Sequence, residues 1–217
     1  MMEELLPSGV VVAERWDDDE SAFLFPEERA QIVKAVDKRV REFTTARTCA
    51  RHALGKLGFP PDPILRGSKG EPLWPSCVVG SITHCTGYRA AAVAMQVHLS
   101  AIGIDAEIHE PLPHEIVNSI CVADERAWLG QQSDRLHWDR ILFSAKESVY
   151  KAWFPLTHRW LGFEEVAITI DAVEGTFRVR PLVSVPRDFD RALKQFTGRF
   201  MVRNGLVITA VFLPRTT

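Results

Sequence analysis

The spacing of apolar residues changes along this chain from a helical to a strand-like period, and the change occurs twice. Between residues 26 and 58 apolar side chains recur every three or four positions, which predicts one long helix or two, with an apolar stripe at Val36, Val40, Phe43, Ala50, Leu54 and Leu57. A second helical stretch is predicted over residues 139–154. Short apolar runs typical of strands follow each helical stretch, at 78–83, 90–97 and 101–106 and then at 166–170, 176–179, 199–202 and 206–213. The pattern predicts the α+β fold class.

A short sequence echo indicates that the two parts are related. Residues 87–93 and 205–211 each begin with glycine and run into a strand that ends Ala-Val, and Asn204-Gly205 is typical of a hairpin turn. At 217 residues the chain is long enough for one large domain or for two small packed halves. We therefore predict two related α/β halves, residues 1–104 and 105–217, without a linker between them.

Composition and charge exclude several classes of protein. Hydrophobic residues make up 46% of the chain and charged residues 25%, as in globular domains, which excludes a disordered or fibrous chain. A net charge of -2 removes the general electrostatic basis for binding nucleic acid or an anionic membrane. No apolar run approaches the roughly 18 to 20 residues of a membrane span. The acidic run ERWDDDE, residues 14–20, is predicted to be a solvated loop.

The first residues and the cysteines point to a cellular compartment. The opening MMEELLPSGVVV lacks the basic and apolar regions of a secretion signal, so we expect a cytoplasmic protein. The four cysteines form no C-x-x-C pair, and thiols stay reduced in the cytosol. We expect them to be free and mostly structural.

Positive charge is concentrated between Arg29 and Lys69, where ten Lys and Arg residues accompany three acids. Arg47 falls on the apolar stripe of the predicted helix, where a hydrophobic residue is expected. Either its stem packs while its head reaches solvent, or its charge has a buried partner. The stretch RGSKGEPLWP that follows is rich in turn residues, with Gly67 and Gly70 flanking Lys69.

Two carboxylates end the apolar run IGIDAE. Asp105 and Glu107 are two residues apart, which on a strand places both side chains on one face. A solvated strand end is one explanation. The other is a cation between the two acids, because hard divalent ions such as Mg²⁺ bind one or two carboxylates together with substrate phosphates and water.

The second predicted helix contains FSAKESVYKAW, in which Glu147 and Lys151 are four residues apart. On an exposed face they would form an ordinary surface ion pair, worth about 0.2 to 0.5 kcal/mol. However, Phe143 and Phe154 lie on the same side of the helix. This predicts that the pair borders packed surface and does not face open water.

A histidine stands at the end of the strand-like run VGSITHC. His84 precedes Cys85, but neighbours on a strand point to opposite faces, which disfavours a Cys/His nucleophile pair. A lone histidine is usually structural or merely exposed.

The chain also lacks a Gly-rich P-loop and a G-x-G-x-x-G motif, which argues against a standard nucleotide-hydrolysing or dinucleotide-binding domain.

Three of these segments, taken in order, resemble the signature of the Sfp-type 4′-phosphopantetheinyl transferases. In that family G-I-D is followed by F/W-S/C-x-K-E-S/A-x-x-K, and here IGIDAE is followed by FSAKESVYKAW about forty residues later. GSITHC is similar to a third motif of the family. The resemblance runs from Arg39 to about Phe163, and RGSKGEPLWP and HWDRILFSAKESVYKAWFPLTHRWLGFE resemble the actinobacterial members that act on mycolate, polyketide and nonribosomal-peptide synthases.

The resemblance implies a role for each matching residue. Asp105, Glu107 and Glu147 would bind Mg²⁺, with Mn²⁺ as a possible substitute, and Glu147 would also be the candidate base. Lys151 would contact the pantetheine-side phosphate of coenzyme A, and His84 would join Glu147 and Lys151 as a catalytic residue. The implied contacts to coenzyme A are Arg39, Arg47, Arg66, Gly67, Lys69, Gly70, Glu71, Thr83, His84, Lys146 and Lys151.

The resemblance also implies a fold and a reaction. The two similar α/β halves would be related by a pseudo-two-fold axis, with coenzyme A in the cleft between them. The enzyme would transfer 4′-phosphopantetheine from coenzyme A to a serine of an apo acyl or peptidyl carrier protein, releasing adenosine 3′,5′-bisphosphate. The carrier would belong to a fatty-acid, polyketide or nonribosomal-peptide synthase, and we expect a monomer.

Two other functions remain open at this stage. A Mg²⁺-dependent phosphodiesterase or nuclease could use the same three carboxylates, although it would need open access for a metal-bound water and a broader basic surface. A non-catalytic module that binds coenzyme A or the carrier is the third hypothesis. The presence of all the reacting carboxylates disfavours it.

Overall fold

The computed structural model describes residues 1–133, 135–183 and 187–215, without the side chains of residues 187–190. Antiparallel strands form two sheets, and a long helix packs against each, which confirms the α+β prediction. The strands are β1 (Val11–Arg15), β2 (Val78–Cys85), β3 (Tyr88–Met95), β4 (Leu99–Ile108), β5 (Val166–Asp171), β6 (Thr176–Pro181), β7 (Thr197–Arg203) and β8 (Leu206–Pro214). The helices are α1 (Pro26–Ala30), α2 (Asp37–Lys56), α3 (His114–Ile120), α4 (Ala123–Leu129), α5 (Trp138–Thr157) and α6 (Arg187–Gln195). Among the described helices, none is long and apolar enough to cross a bilayer.

The smaller sheet has the strand order β1-β3-β2, and both pairings are antiparallel. Gly87 turns β2 into β3 with a φ of +78°, a backbone conformation that glycine adopts without steric cost. The register places His84 opposite Arg89. Helix α2 covers this sheet with small apolar side chains such as Ala50 and Ala53, which pack near Val93.

The larger sheet has the order β4-β8-β7-β6-β5. The hairpin predicted at Asn204-Gly205 is confirmed: both residues have positive φ and join β7 to β8. Helix α5 packs on β4 and β8 through buried residues such as Ala145, Val149 and Ala152.

The two sheets repeat one arrangement. In each, a hairpin strand that follows a glycine turn lies between two antiparallel neighbours, β3 between β1 and β2 and β8 between β4 and β7. A 20-residue helix packs on each set, α2 mainly on β1 and β3 and α5 mainly on β4 and β8, and these strands hold equivalent places in the two sets. The second set begins at Leu99, so residue 104, the predicted boundary, falls inside the continuous strand β4. The division into residues 1–104 and 105–217 stays a prediction.

Gly103 brings α5 close to β4. A Cβ at this position would lie 1.9 Å from the Ser148 carbonyl oxygen and 2.7 Å from the Ala152 nitrogen, distances that no side chain tolerates. Asp105 is two residues further along the same face of β4. The close approach therefore places the α5 residues around Ser148 beside the acidic end of β4.

Of the one or two helices predicted between residues 26 and 58, the structure has two, α1 and α2. Val36 is the N-cap of α2 and is 73% exposed, so its assignment to the apolar stripe is wrong. Phe43 and Ala50 are buried as predicted, and Arg47 is buried with them at 4% exposure. The stripe is therefore an apolar face with one arginine in it.

Residues 14–20 are mostly exposed, as predicted, but the first two of them end β1 and some of the acids have partners. Glu14 accepts hydrogen bonds from the Tyr88 hydroxyl at 2.5 Å and from the Met1 ammonium at 2.8 Å. Asp18 lies 2.7 Å from Arg89 Nη2 and accepts from Arg41 Nε at 3.1 Å. Asp18 is therefore a counter-charge for arginines on β3 and α2, and Glu14 ties the first residue of the chain to β3.

Candidate active site

A cavity of about 390 Å³ is bordered by α2 and β2 of the smaller sheet and by β4 and α5 of the larger one. The predicted site residues that line it are Arg39, Arg47, Arg66, Lys69, Gly70, Glu71, Thr83, His84, Asp105, Glu107, Glu147 and Lys151. Phe143 and Phe154 line it as well, which confirms that this face of α5 borders packed surface. The fold thus brings together almost all the residues singled out from the sequence.

Asp105 is buried, and its carboxylate is held by three donors. Lys151 Nζ donates to Oδ1 at 2.6 Å, and Thr83 Oγ1 donates to the same oxygen at 3.3 Å. Ser144 Oγ donates to Oδ2 at 2.8 Å. Lys151 of α5 therefore forms its ion pair with Asp105 of β4. These charge-assisted bonds fix the orientation of the Asp105 carboxylate.

Glu107 and Glu147 lie in surroundings that disfavour their negative charge. Burial and the nearby Asp105 carboxylate raise the pKa of Glu107 to about 7, although Arg140 Nη1, 3.1 Å from Glu107 Oε2, opposes the shift. Burial also raises the pKa of Glu147, with Lys151 opposing and Asp105 adding to the shift. The three acids repel one another in a partly desolvated cavity.

This donor set fits a divalent cation in its chemistry. Carboxylate oxygens are the ligands that Mg²⁺ and Mn²⁺ prefer, and a cation would relieve the repulsion that raises the pKa of Glu107. The side chains do not converge in the present arrangement. In the part of the chain that the structure describes, no group of three His, Cys, Asp or Glu side chains is close enough to hold a metal ion.

Arginine and lysine side chains from α2 and the loop after it supply positive charge to the cavity: Arg39, Arg47, Arg66 and Lys69. Arg47 Nε donates to the Ile64 carbonyl oxygen at 2.8 Å, and its guanidinium lies 4.4 Å from the centroid of the Phe43 ring. Burial lowers the pKa of Arg47 to about 10, which leaves it charged at pH 7. Its head therefore lies at the cavity and does not reach solvent.

The loop RGSKGE is shaped by its glycines. A Cβ on Gly67 would lie 1.9 Å from Glu71 Oε1, so the glycine leaves the space that the Glu71 side chain occupies. The Glu71 carboxylate accepts from the Lys69 backbone N–H at 2.9 Å. Gly70 adopts a φ of +89°. Gly67 does not line the cavity, and the structure gives it a role in loop shape where a coenzyme A contact was expected.

His84 lies between Arg39 and Glu42. Arg39 Nη1 contacts His84 Nε2, and Glu42 Oε2 lies 3.7 Å from His84 Nδ1. Burial and the cations Arg39 and Lys151 lower the pKa of His84 to about 4, so its imidazole is neutral at pH 7.

The structure does not bring the Lys146 ammonium to the cavity. Nζ lies 2.8 Å from Glu125 Oε2 and donates to the carbonyl oxygens of Ile120 at 2.7 Å and Phe163 at 2.8 Å. These acceptors satisfy its three N–H groups, and the side chain has no exposed surface. The expected contact with coenzyme A is corrected to a structural role, in which Lys146 ties α5 to α4.

Sequence reasoning missed two side chains that complete the acidic end of β4. Ser144 bonds Asp105 and shares a 3.0 Å hydrogen bond with Thr209 of β8. Arg140 pairs with Glu107. Ser144 precedes Glu147 by three residues and Arg140 precedes it by seven, so a helical wheel extended toward the start of α5 would have found both.

Cys85 is not suited to nucleophilic chemistry. Burial and the neighbouring acids Glu107 and Asp105 raise the pKa of its thiol to about 12, so the reactive thiolate is scarce at pH 7. The four cysteines are free, as expected.

Comparison of the sequence with known proteins gives matches along most of the chain. The 4′-phosphopantetheinyl transferase N-terminal domain matches residues 27–94, and the 4′-phosphopantetheinyl transferase superfamily matches residues 101–206. The 4′-phosphopantetheinyl transferase Svp of Streptomyces mobaraensis is 48% identical over 97% of this chain and 88% of its own length. The 4′-phosphopantetheinyl transferase Npt of Nocardia iowensis is 47% identical over 97% of this chain and 99% of its own. A crystal structure of the holo-[acyl-carrier-protein] synthase of Thermotoga maritima matches 54% of this chain and 65% of that chain, with a TM-score of 0.42 and 16% identity.

The two family matches together include both long helices, α2 and α5, and every residue that lines the cavity. The relatives match over nearly the whole chain. The chain belongs to the 4′-phosphopantetheinyl transferase superfamily, whose enzymes use coenzyme A and transfer phosphopantetheine to carrier proteins.

Proposed function

We propose that this enzyme binds coenzyme A in the 390 Å³ cavity and transfers 4′-phosphopantetheine to a serine hydroxyl of an apo carrier protein with the help of a divalent cation. The observation that carries the proposal is the division of charge in that cavity. Cations from α2 and the RGSKGE loop border one side, and carboxylates from β4 and α5 border the other. Such a cavity offers separate surfaces for phosphate binding and for proton and metal chemistry.

The phosphate groups of coenzyme A are assigned to the basic side. Arg39, Arg47, Arg66 and Lys69 all line the cavity, and guanidinium groups bind phosphate oxygens in a bidentate manner. Burial and the neighbouring Arg66 lower the pKa of Arg39, which shows that cations are crowded there. An anionic ligand relieves that crowding.

The metal is assigned to Asp105, Glu107 and Glu147, with Mg²⁺ as the proposed ion and Mn²⁺ as a substitute. When bound, the ion would polarise the pyrophosphate oxygens and stabilise the charge of the leaving group. Lys151 supplies a further positive charge next to Asp105, where it can contact the pantetheine-side phosphate.

Glu147 is proposed as the base. Its raised pKa makes its carboxylate a stronger proton acceptor than an ordinary glutamate, and Lys151 on the next turn helps to keep it ionised. The carrier serine oxygen forms a bond to the pantetheine-side phosphorus, and its proton passes to Glu147. The bond from that phosphorus to the bridging pyrophosphate oxygen breaks, and adenosine 3′,5′-bisphosphate leaves with the electron pair.

The carrier is proposed to be an acyl or peptidyl carrier domain of a fatty-acid, polyketide or nonribosomal-peptide synthase. One chain contributes both the basic and the acidic side of the cavity, so we propose that a monomer is active. We also propose that the enzyme works in the cytoplasm.

The test is intact-mass spectrometry of apo carrier proteins incubated with the enzyme, coenzyme A and Mg²⁺, beside samples with EDTA and with EDTA followed by excess Mg²⁺ or Mn²⁺. We expect the carrier to gain one phosphopantetheine group with metal, to gain none with EDTA, and to recover when metal is restored. Transfer at an unchanged rate in EDTA would contradict the metal assignment. Hydrolysis of coenzyme A with no modified carrier would favour the phosphodiesterase.

A further inference from the structure

Glu42 lies on α2, one turn after Arg39, and the mechanism above does not use it. Its carboxylate is buried, with 8% of the residue exposed, which is unusual for an acid. Oε1 is 3.9 Å from Lys38 Nζ and 4.0 Å from Arg89 Nη2, and Oε2 is 3.7 Å from His84 Nδ1. These distances exceed those of hydrogen bonds, so Glu42 acts on its neighbours through its charge.

Arg89 fixes the surroundings of Glu42. It is 4% exposed, its Nη2 lies 2.7 Å from Asp18 Oδ1, and its Nη1 donates to the Cys85 carbonyl oxygen at 3.0 Å. It also stands directly opposite His84 in the register of β2 and β3. Glu42 therefore has a permanent, immobile cation on one side and the imidazole of His84 on the other.

The neighbours of His84 select one arrangement of its proton. A guanidinium group can only donate hydrogen bonds, so His84 Nε2, which contacts Arg39 Nη1, must be an acceptor. A neutral imidazole with an accepting Nε2 carries its proton on Nδ1, which lies 3.7 Å from Glu42 Oε2, so the Glu42 charge favours a proton there. Arg39 and Glu42 thus favour the same tautomer from opposite sides of the ring.

We propose that Glu42 is a positioning residue that holds His84 in its Nδ1–H tautomer, so that the Nε2 lone pair anchors the guanidinium of Arg39 at the cavity. The remaining N–H groups of Arg39 are then available to a phosphate of coenzyme A. The inference rests on the proposed function, because it takes Arg39 as a coenzyme A contact. In this role His84 is neutral, and it orients the positively charged guanidinium of Arg39.

The proposal is tested with Glu42→Gln, which keeps the shape of the side chain and removes its charge. Asp37→Asn is the matched control, because it removes an exposed acid from the first turn of the same helix. The full chain, labelled with ¹⁵N-histidine, is studied by long-range ¹H–¹⁵N NMR, and the His84 signals are assigned by their loss in His84→Gln. The Michaelis constant for coenzyme A and kcat are measured on the same samples.

We expect His84 of the unsubstituted protein and of Asp37→Asn to carry its proton on Nδ1. In Glu42→Gln we expect this tautomer to lose population, KM for coenzyme A to rise on the order of tenfold, and kcat to stay within about twofold. Glu42→Asp keeps the charge, so its tautomer population and its KM should lie between those of the unsubstituted protein and those of Glu42→Gln. This variant also tests the proposal if Glu42→Gln does not fold.

Three results would overturn the proposal. His84 could carry its proton on Nε2, or on both nitrogens, at pH 7 in the unsubstituted protein. The tautomer could remain unchanged in Glu42→Gln, or it could shift while KM stays the same. Failure of the proposed function has a different signature, since Arg39→Ala would then leave KM for coenzyme A unchanged.

Discussion

The α2 and α5 sides of the cavity have the same architecture and opposite chemistry. Each has a 20-residue helix on two antiparallel strands, yet α2 presents Arg39 and Arg47 whereas α5 presents Glu147 beside the acids of β4. On the α2 side, acids such as Glu42 serve as counter-charges for buried cations. On the α5 side, the cation Lys151 serves as the counter-charge of a buried acid. The comparison indicates that the repeated scaffold carries binding on one side and chemistry on the other.

The largest effect is expected at the acidic side. Glu147→Gln should lower kcat on the order of 10²- to 10⁴-fold, because it removes the proposed base and one metal ligand. Stability should be unchanged or slightly higher, since the raised pKa of Glu147 shows that its charge is disfavoured in the folded state. Rates of carrier modification and thermal unfolding check both statements. Glu110→Gln, at an exposed acid just beyond β4, is the control, and an equal loss there would contradict the assignment.

On the basic side we expect an effect on binding and little on chemistry. Arg39→Ala should raise KM for coenzyme A about tenfold to a hundredfold, as expected for a lost charge-assisted hydrogen bond in a partly buried site. At saturating coenzyme A its kcat should approach that of the unsubstituted enzyme. A drop in kcat with normal KM would show that the two sides do not divide the work in this way.

A third prediction concerns stability and pH. The pKa of Glu107 is raised to about 7, so its protonated form stabilises the fold at low pH and this contribution is lost as the pH rises toward 7. Glu107→Gln, which has no charge to lose, should therefore be more stable than the unsubstituted protein at pH 8 by about 1 to 2 kcal/mol and about equal to it near pH 4. Urea unfolding in EDTA at both pH values measures this. A variant that is less stable at pH 8 would contradict the cause given for the shift.

The smallest effect is expected at the rim of the cavity. Lys69 is exposed, and its backbone N–H already serves the loop by donating to Glu71. Lys69→Ala should raise KM for coenzyme A only about two- to fivefold, with kcat retained, because exposed ion pairs contribute little. Steady-state kinetics at low and high salt measures it. An effect as large as that of Arg39→Ala would mean that the loop closes over the ligand.

Much of the fold and of the site follows from local sequence patterns. The period of the apolar residues gives α5 and the strands β2 to β8, though not β1, and the motif residues Asp105, Glu147 and Lys151 do line one cavity. These predictions succeed because they depend on side chains that are close in sequence, where helix and strand geometry fixes their relative directions.

The parts that could not be predicted depend on long-range contacts. Lys146 precedes Glu147 by one residue and so points about 100° away from it around the helix, toward Glu125 of α4. Whether that direction leads to ligand or to protein depends on α4, which lies about twenty residues earlier in the chain. Likewise Glu125, Glu14 and Asp18 find partners that no local pattern reveals.

The most direct test of the account is intact-mass spectrometry of an apo carrier protein treated with Arg39→Ala and with Glu147→Gln at saturating coenzyme A and Mg²⁺. We predict that Arg39→Ala then modifies the carrier at nearly the unsubstituted rate, because excess coenzyme A compensates for weakened binding. Glu147→Gln should leave the carrier unmodified on the same time scale at any concentration of coenzyme A. Rescue of Glu147→Gln by excess coenzyme A, with Arg39→Ala inactive throughout, would contradict the division between a binding side and a chemical side.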